Sequence, residues 1–194
     1  MHSALANNRN IPLRGGKYLP RWCNYLLHKF GWRIEGQLPE HESRFIIILA
    51  PHTSNWDFIV GVAAIFALDV KLTGLGKASL FWWPFSVVMR FLGFLPIDRQ
   101  AKNGQVGMVK ELFDHNQHFI LAMAPEGTRS AVGQWKTGFY HMAVAANVPI
   151  VGVGFDFPCK TIHLHSPFWP SANIDKDMPV IRSHFESYTG KQLQ

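Results

Sequence analysis

Two short, continuous apolar runs constrain the fold of this 194-residue chain more than any other feature. The first occupies residues 45–50 and stops at Pro51, and the second occupies residues 119–124 and stops at Pro125. Apolar runs of this length, without polar alternation, are typical of strands that are buried on both faces of a sheet. The two runs therefore predict two buried strands, each followed at once by a loop.

Helical spacing of apolar residues surrounds these strands and predicts helices at residues 17–32, 55–68, 80–92, 104–115, 137–147 (with Thr137 as N-cap) and 175–188. Further strands are predicted at residues 71–75 and, as a hairpin across Pro158, at residues 150–157 and 161–165. Strands that alternate with helices predict an α/β domain with a mixed, mostly parallel sheet flanked by helices. The length suits one such domain, so we assign residues 33–194 to it and residues 1–32 to an N-terminal amphipathic helical segment.

The N-terminal segment is both aromatic and basic, with Trp22, Tyr25, Leu26 and Phe30 near helical spacing and Arg14, Lys17, Arg21 and Lys29 among them. Such a helix either lies in a membrane interface or packs on the core, and the sequence leaves both open. No apolar run reaches the roughly 18 residues of a spanning helix. The first ten residues show no secretory signal. These features predict a cytoplasmic protein, peripheral on the inner face of the cell membrane.

Charge and cysteine usage narrow the classes of function. The formal net charge is +6, which suits an anionic membrane or a phosphorylated substrate. Its Lys and Arg residues form no runs and no nucleic-acid-binding signature, so we expect no nucleic-acid partner. The two cysteines, Cys23 and Cys159, are far apart and predict neither a disulfide framework nor a metal site.

The loop after the first buried strand contains His52 and, five residues later, Asp57. A carboxylate in the first turn of a helix can accept a hydrogen bond from one ring nitrogen and leave the other free to take a proton. The pair is therefore a candidate general base with its orienting partner. The alternative is structural, because Ser54 and Asp57 have the spacing of a helix capping box.

The loop after the second buried strand reads Pro125-Glu126-Gly127-Thr128-Arg129-Ser130. Arg129 offers a planar fork that suits phosphate, and a glycine lets backbone amides approach an anion. The alternative is an ordinary turn with a solvated arginine. Lys77, Arg99 and Lys136 are further candidates for anion contact.

Together these motifs resemble the glycerol-phosphate and lysophosphatidic acid acyltransferase superfamily. The segment from His52 to Asp57 matches its HX4D motif, and the Pro125 to Arg129 segment resembles its EGTR block. Residues 76–85, 93–99 and 148–151 resemble the other blocks, in the same order, and residues 135–141 look like a compact bacterial branch. Two departures stand out: Pro51 precedes His52 where many members have a polar residue, and Gly152 stands where many have a proline. These departures leave the identity of the acceptor open.

The resemblance implies an O-acyltransferase of phospholipid biosynthesis, similar to a 1-acylglycerol-3-phosphate acyltransferase. His52 would be the base and Asp57 its partner. The acceptor would be held by Glu126, Gly127, Thr128 and Arg129, with Arg99 and Lys77 as further positive contacts. The acyl donor would be acyl-CoA or acyl carrier protein, the acceptor a lysoglycerophosphate-type lipid, and no cofactor is implied. A lipid hydrolase or a non-catalytic lipid-binding protein on the same fold are the alternatives.

Overall fold

A computed structural model describes residues 10–39, 41–51, 54–78, 81–97, 104–126 and 135–190 of the chain; for Lys77 and Ile97 it describes the backbone alone. In chain order the elements are α1 (Leu19–Lys29), β1 (Arg33–Gly36), β2 (Arg44–Ala50), α2 (Asn55–Ala67), β3 (Thr73–Lys77), α3 (Phe85–Leu92), β4 (Phe94–Ile97), α4 (Gly104–His115), β5 (Phe119–Met123), α5 (Gly138–Ala146), β6 (Ile150–Asp156), β7 (Thr161–Leu164) and α6 (Ile174–Ser183).

Within the described residues the strands form one sheet in the order β1-β7-β6-β2-β5-β3-β4. Strand β6 pairs with β7 in antiparallel register, and every other neighbouring pair is parallel. The predicted α/β class with a mixed, mostly parallel sheet is therefore confirmed. The predicted hairpin across Pro158 is also confirmed, because β6 and β7 are its two strands.

The two faces of the sheet carry separate hydrophobic clusters. Along β2, Phe45 and Ile47 point to the cluster under α1 and α2, whereas Ile46 and Ile48 point to the cluster under α4, α5 and α6. All four side chains are buried. A strand that serves two cores must be apolar at every position, which explains the uninterrupted run in the sequence.

Several predicted elements change at their boundaries. Strands β1 and β4 were not predicted, and the helix predicted at residues 80–92 begins only at Phe85. Thr137 occupies the N-cap position of α5 but makes no side-chain capping bond. The last helix ends at Ser183 rather than at residue 188.

The N-terminal segment packs on the core with one side and leaves large apolar side chains exposed on the other. One side of α1 packs on α2 through the buried Leu27, while Trp22, Tyr25 and Phe30 on the other side are exposed. Ile11 and Trp32, on either side of α1, also belong to the core cluster. The segment is thus anchored in the fold and still presents an apolar stripe. No helix in the described ranges is both long and apolar enough to cross a bilayer.

Arg14 does not belong to that exposed surface, contrary to the expectation that it adds to the basic face of the segment. Its Nε donates to the carbonyl of Val70 at 3.2 Å, and its two Nη atoms donate to the carbonyls of Phe91 and Leu92, each at 2.9 Å. Burial lowers the pKa of Arg14, and the neighbouring Asp69 opposes that effect. The guanidinium, which remains charged in proteins, therefore caps the last turn of α3 and ties it to the chain before α1.

Candidate active site

Three parallel strands bring the two predicted loops to one edge of the sheet. Strand β2 lies beside β5, with Ile48 opposite Met123, and β5 lies beside β3. Because parallel strands end at the same edge, the loop after β2 and the loop after β5 leave the sheet side by side. This is the arrangement in which α/β proteins place their sites.

A capping box fixes the start of α2 at this edge. The main-chain N–H of Ser54 donates to Oδ2 of Asp57 at 2.6 Å, and the Ser54 hydroxyl donates to Oδ1 at 3.1 Å. The same hydroxyl accepts from the main-chain N–H of Trp56 at 3.2 Å. The structural role proposed for Asp57 is thus present, since both carboxylate oxygens accept hydrogen bonds from the N-cap residue.

Asp57 nevertheless differs from an ordinary surface cap because it is only 1% exposed and borders a cavity. A carboxylate buried at a helix N-terminus is held rigidly by its hydrogen bonds and by the helix dipole. On the neighbouring loop, Glu126 is also buried. The main-chain N–H of Lys136 donates to the carbonyl of Pro125 at 2.8 Å and holds that loop close to the start of α5.

The cavity that Asp57 borders has a volume of about 890 Å³, within the range of about 300–1,000 Å³ typical of ligand sites. It extends from Pro125 and Lys136 at the edge of the sheet to a space between α2 and α3. Its walls are mainly apolar, and they include Phe58, Ile65 and Phe66 from α2, Phe85, Met89 and Leu92 from α3, and Phe94 from β4. Polar groups at one end and an apolar channel beyond them suit an amphipathic ligand.

Two glycines of β3 make room for this channel. A Cβ atom at Gly74 would come 2.5 Å from the ring of Phe94, and one at Gly76 would come 3.0 Å from the ring of Phe81. Both glycines line the cavity, so its floor has no side chains at these positions. A larger residue would displace the phenyl rings that shape the wall.

The structure therefore brings together some of the predicted site residues and leaves others aside. Asp57, Glu126 and Lys136 lie at the edge where β2 and β5 end, and Lys77 is the last residue of β3 at that edge, although its side chain is not described. His52, Arg99, Gly127, Thr128 and Arg129 lie outside the described residues. In the described part of the chain, no three His, Cys, Asp or Glu side chains gather in a way that could hold a metal ion.

Sequence reasoning missed the contribution of α3 and of Gln105 in α4 to the cavity wall. The alternation of Gly74 and Gly76 within a strand was the available signal, because glycines inside a strand often mark the close approach of a ligand or of other atoms. The partner helix itself could not be inferred from that signal.

Comparison with known proteins adds the family. The model of the acyltransferase family matches residues 31–156, which include both loops and the cavity-lining strands. The 1-acyl-sn-glycerol-3-phosphate acyltransferase of Escherichia coli K12 is 33% identical over 144 residues, which is 70% of this chain and 58% of that protein. The Haemophilus influenzae enzyme of the same name is 29% identical over 153 residues, 74% of this chain and 60% of that protein. The chain thus spans less than two thirds of the length of either bacterial relative.

A solved structure supports the same fold. The crystal structure of the 1-acyl-sn-glycerophosphate acyltransferase of Thermotoga maritima matches with a TM-score of 0.59 and 16% identity. The match covers 90% of this chain and 80% of the other. At that identity the likeness speaks for the fold alone.

Proposed function

The chain belongs to the acyltransferase family, and we propose that it transfers a fatty acyl group from a thioester donor to a hydroxyl of a lysophosphatidic-acid-type acceptor. One observation carries the proposal: the buried Asp57 of the HX4D motif borders a large apolar cavity that reaches the loop after β5. A buried carboxylate, a neighbouring loop that carries the EGTR block and a channel for a hydrocarbon chain suit this reaction. The names of the bacterial relatives support the choice of acceptor.

In the proposed mechanism His52 acts as the general base and Asp57 orients its ring. His52 takes the proton from the acceptor hydroxyl while the oxygen attacks the thioester carbonyl. The new C–O ester bond forms, the C–S bond breaks, and the departing thiolate takes the proton back from the imidazolium. General-base assistance of this kind gives about 10² to 10⁴ in rate, and holding donor and acceptor together adds more. The sequence has no G-x-S-x-G elbow, so we propose direct transfer without an acyl-enzyme.

The loop after β5 would hold the acceptor. Glu126, Gly127, Thr128 and Arg129 match the EGTR block, and Arg129 is assigned to the acceptor phosphate because its planar fork can bind two oxygens at once. Arg99 and Lys77 would add positive charge. Support for this placement comes from β3, whose last residue is Lys77, because it ends at the same edge as β5.

The proposed division of the chain assigns the acyltransferase domain to residues 33–194 and membrane association to residues 1–32. The exposed Trp22, Tyr25 and Phe30 of α1 would enter the apolar boundary of the bilayer, and Lys17 and Arg21 would meet anionic head groups. The protein would then be peripheral on the cytoplasmic face of the cell membrane. Because Ile11, Leu27 and Trp32 are core residues, deleting the segment would disturb the fold, and point substitutions are the better test.

Product analysis with the purified full chain tests the activity. Labelled acyl-CoA and, separately, acyl-acyl carrier protein are supplied with 1-acyl-glycerol 3-phosphate, and the products are separated and weighed by mass spectrometry. The expected product is the doubly acylated glycerol phosphate, and His52→Ala should remove nearly all of it. Free fatty acid formed equally with and without acceptor would indicate a hydrolase. Binding of the lipid without any turnover would indicate a non-catalytic lipid-binding protein.

A further inference from the structure

Helix α3 presents an apolar outer surface that no element in the described part of the chain buries. None of its eight residues is buried, although most of them are apolar. Val87 and Phe91 are 63% and 61% exposed, and Trp82 and Trp83 in the preceding turn are 59% and 80% exposed. Contiguous exposure of large apolar side chains is unusual in a monomeric domain and marks an interaction surface.

This surface belongs to the same helical layer as the apolar stripe of α1. Helix α1 packs on α2 through Leu27, and α3 contacts α2 through the ring of Phe91, whose centroid lies 5.9 Å from that of Phe66. Arg14 strengthens the connection, because it bonds the last carbonyls of α3 and lies 4.6 Å from the centroid of the Phe66 ring. The chain just before α1 and the end of α3 are therefore held together on one side of the sheet.

The charges on the two helices are all of one sign; the nearby Asp69 lies beside Arg14 and accepts a hydrogen bond from the main-chain N–H of Gly16 at 3.1 Å. Neither α1 nor α3 contains an aspartate or a glutamate. Exposed cations lie beside the apolar side chains: Lys17, Arg21 and Lys29 in or next to α1, and Arg90 in α3. An apolar surface on helices that carry only cations is complementary to a bilayer with anionic head groups, and less so to a neutral one.

We propose that α3 is a second bilayer-docking element, which inserts Trp83, Val87, Val88 and Phe91 into the boundary of an anionic membrane while Arg90 contacts the head groups. The proposal rests on the peripheral membrane placement proposed above. It adds α3, which lies outside the N-terminal segment, as a second membrane contact. Two docking helices in one layer fix the orientation of the protein, which a single helix would leave free to roll about its axis.

The inner side of α3 gives this orientation a consequence for the cavity. Phe85, Met89 and Leu92 form part of the cavity wall, while Val87 and Val88 are exposed on the outside of the same helix. Docking would therefore place α3 at the membrane surface, so that this helix separates the cavity from the bilayer on that side. A lipid chain could enter between α2 and α3 over a short path with little exposure to water.

Vesicle co-sedimentation of the full chain tests the proposal. The α3 variant combines Trp83→Ser with Val87→Ser, neither of which lines the cavity, and the α1 variant combines Trp22→Ser with Leu26→Ser. A matched control replaces Trp169 and Val180 by serine. These residues are 51% and 46% exposed, and they do not belong to α1, α2 or α3. Vesicles contain phosphatidylglycerol with phosphatidylcholine, or phosphatidylcholine alone. Melting curves verify that each variant is folded.

The α3 variant should bind the anionic vesicles about tenfold more weakly than wild type, because two large apolar side chains no longer leave water. The control should stay within about twofold of wild type. Equal binding by the α3 variant and wild type, with loss only in the α1 variant, would overturn the role of α3 and leave the membrane placement intact. A wild-type chain that binds neither vesicle would overturn both.

Two further measurements separate the remaining outcomes. Trp83→Phe keeps an aromatic ring but removes one tryptophan from the emission. Brominated phosphatidylcholine should quench the tryptophan emission of this variant less than that of wild type. Equal quenching contradicts insertion of Trp83. Light scattering of the lipid-free protein examines a second copy as the occupant. A wild-type dimer that the α3 variant converts to monomers, with unchanged vesicle binding, would assign this surface to self-association instead.

Discussion

Replacing Asp57 by asparagine separates its structural role from its proposed catalytic role. The variant keeps the side-chain volume and one carbonyl oxygen but loses the negative charge. The charged carboxylate of the wild type accepts two hydrogen bonds from Ser54, at 2.6 and 3.1 Å. A hydrogen bond to a charged group contributes about 1.5–3 kcal/mol, and a neutral one about 0.5–1.5 kcal/mol. Each bond should therefore weaken by roughly 1 kcal/mol, and relief from burying a carboxylate offsets part of the loss.

We expect the free energy of unfolding to fall by about 1–2 kcal/mol, which for a chain of this length lowers the melting temperature by roughly 2–8 °C. The effect on turnover should be much larger. If Asp57 fixes the ring of His52, loss of its charge should reduce kcat by about 10² to 10⁴. At an assay temperature well below both melting temperatures, nearly all molecules are folded, so lost stability cannot account for such a change.

Ser54→Ala is the matched control because it damages the same helix cap and leaves the Asp57 carboxylate in place. It removes the hydroxyl that accepts from Trp56 and donates to Oδ1 of Asp57, keeps the main-chain hydrogen bond to Oδ2, and should lower stability by about 0.5–2 kcal/mol. We expect its kcat to stay within about tenfold of wild type. Melting curves and initial rates of thiol release with acceptor present give both quantities for each variant. If Asp57→Asn lowers the melting temperature as Ser54→Ala does and keeps its rate within about threefold of wild type, Asp57 is a helix cap and nothing more.

Three other substitutions test separate parts of the argument. Arg129→Lys should raise the KM for a phosphorylated acceptor about tenfold and leave the donor KM unchanged, since lysine keeps the charge and loses the bidentate fork; an unchanged acceptor KM would refute the phosphate role. Gly154→Ala should lower the free energy of unfolding by about 1–3 kcal/mol, because a Cβ there would overlap the ring of Tyr188; an unchanged melting temperature would contradict this packing. Asp177→Asn should reduce the loss of stability in acid. Burial would raise the pKa of Asp177, but the hydrogen bonds from Ser171 and Tyr140 outweigh burial and lower the pKa. The carboxylate therefore stabilises the fold above the unfolded pKa near 3.8, and this stabilisation is lost as the pH falls through the lower folded value. Urea unfolding at neutral pH and near pH 3 should show the gap between wild type and Asp177→Asn shrinking in acid, and a constant gap would contradict it.

The central elements could be predicted because their signals are local. The buried strands β2 and β5 are continuous apolar runs, and α2 begins at the capping box that the spacing of Ser54 and Asp57 indicates. Helix α4 has the predicted bounds, residues 104–115. Each of these elements is specified by residues within its own length, so tertiary contacts did not need to be known.

The edge strands could not be predicted because their signals come from partners elsewhere in the chain. Strand β4 contains Pro96, which argues against a strand when the sequence is considered alone. Its position at the edge of the sheet removes the objection, because an edge strand has a side that needs no hydrogen-bond donor. Strand β1 is the other edge, is only four residues long, and pairs with β7, more than a hundred residues later in the chain.

The site was predictable in its position and not in its shape. The sequence placed the two loops after buried strands, and the parallel pairing of β2 with β5 brings the described parts of those loops to one edge. The cavity depends instead on the distance between α2 and α3. Arg14, in the N-terminal segment, fixes the end of α3 through its hydrogen bonds to the carbonyls of Phe91 and Leu92. A contact between residues 14 and 92 leaves no local pattern, so neither the channel nor the arginine that supports its wall could be inferred.

The glycine that departs from the family pattern has a structural explanation on the other side of the sheet. Gly152 does not line the cavity, and a Cβ atom there would come 2.8 Å from the ring of Phe185 and 3.1 Å from His165. Its neighbour on the same face, Gly154, makes room for Tyr188, whose hydroxyl lies 3.0 Å from Nε2 of His165. Aromatic residues that follow α6 therefore pack directly on β6, and this packing requires glycine there. The departure at Gly152 therefore reflects how the C-terminal segment closes the core.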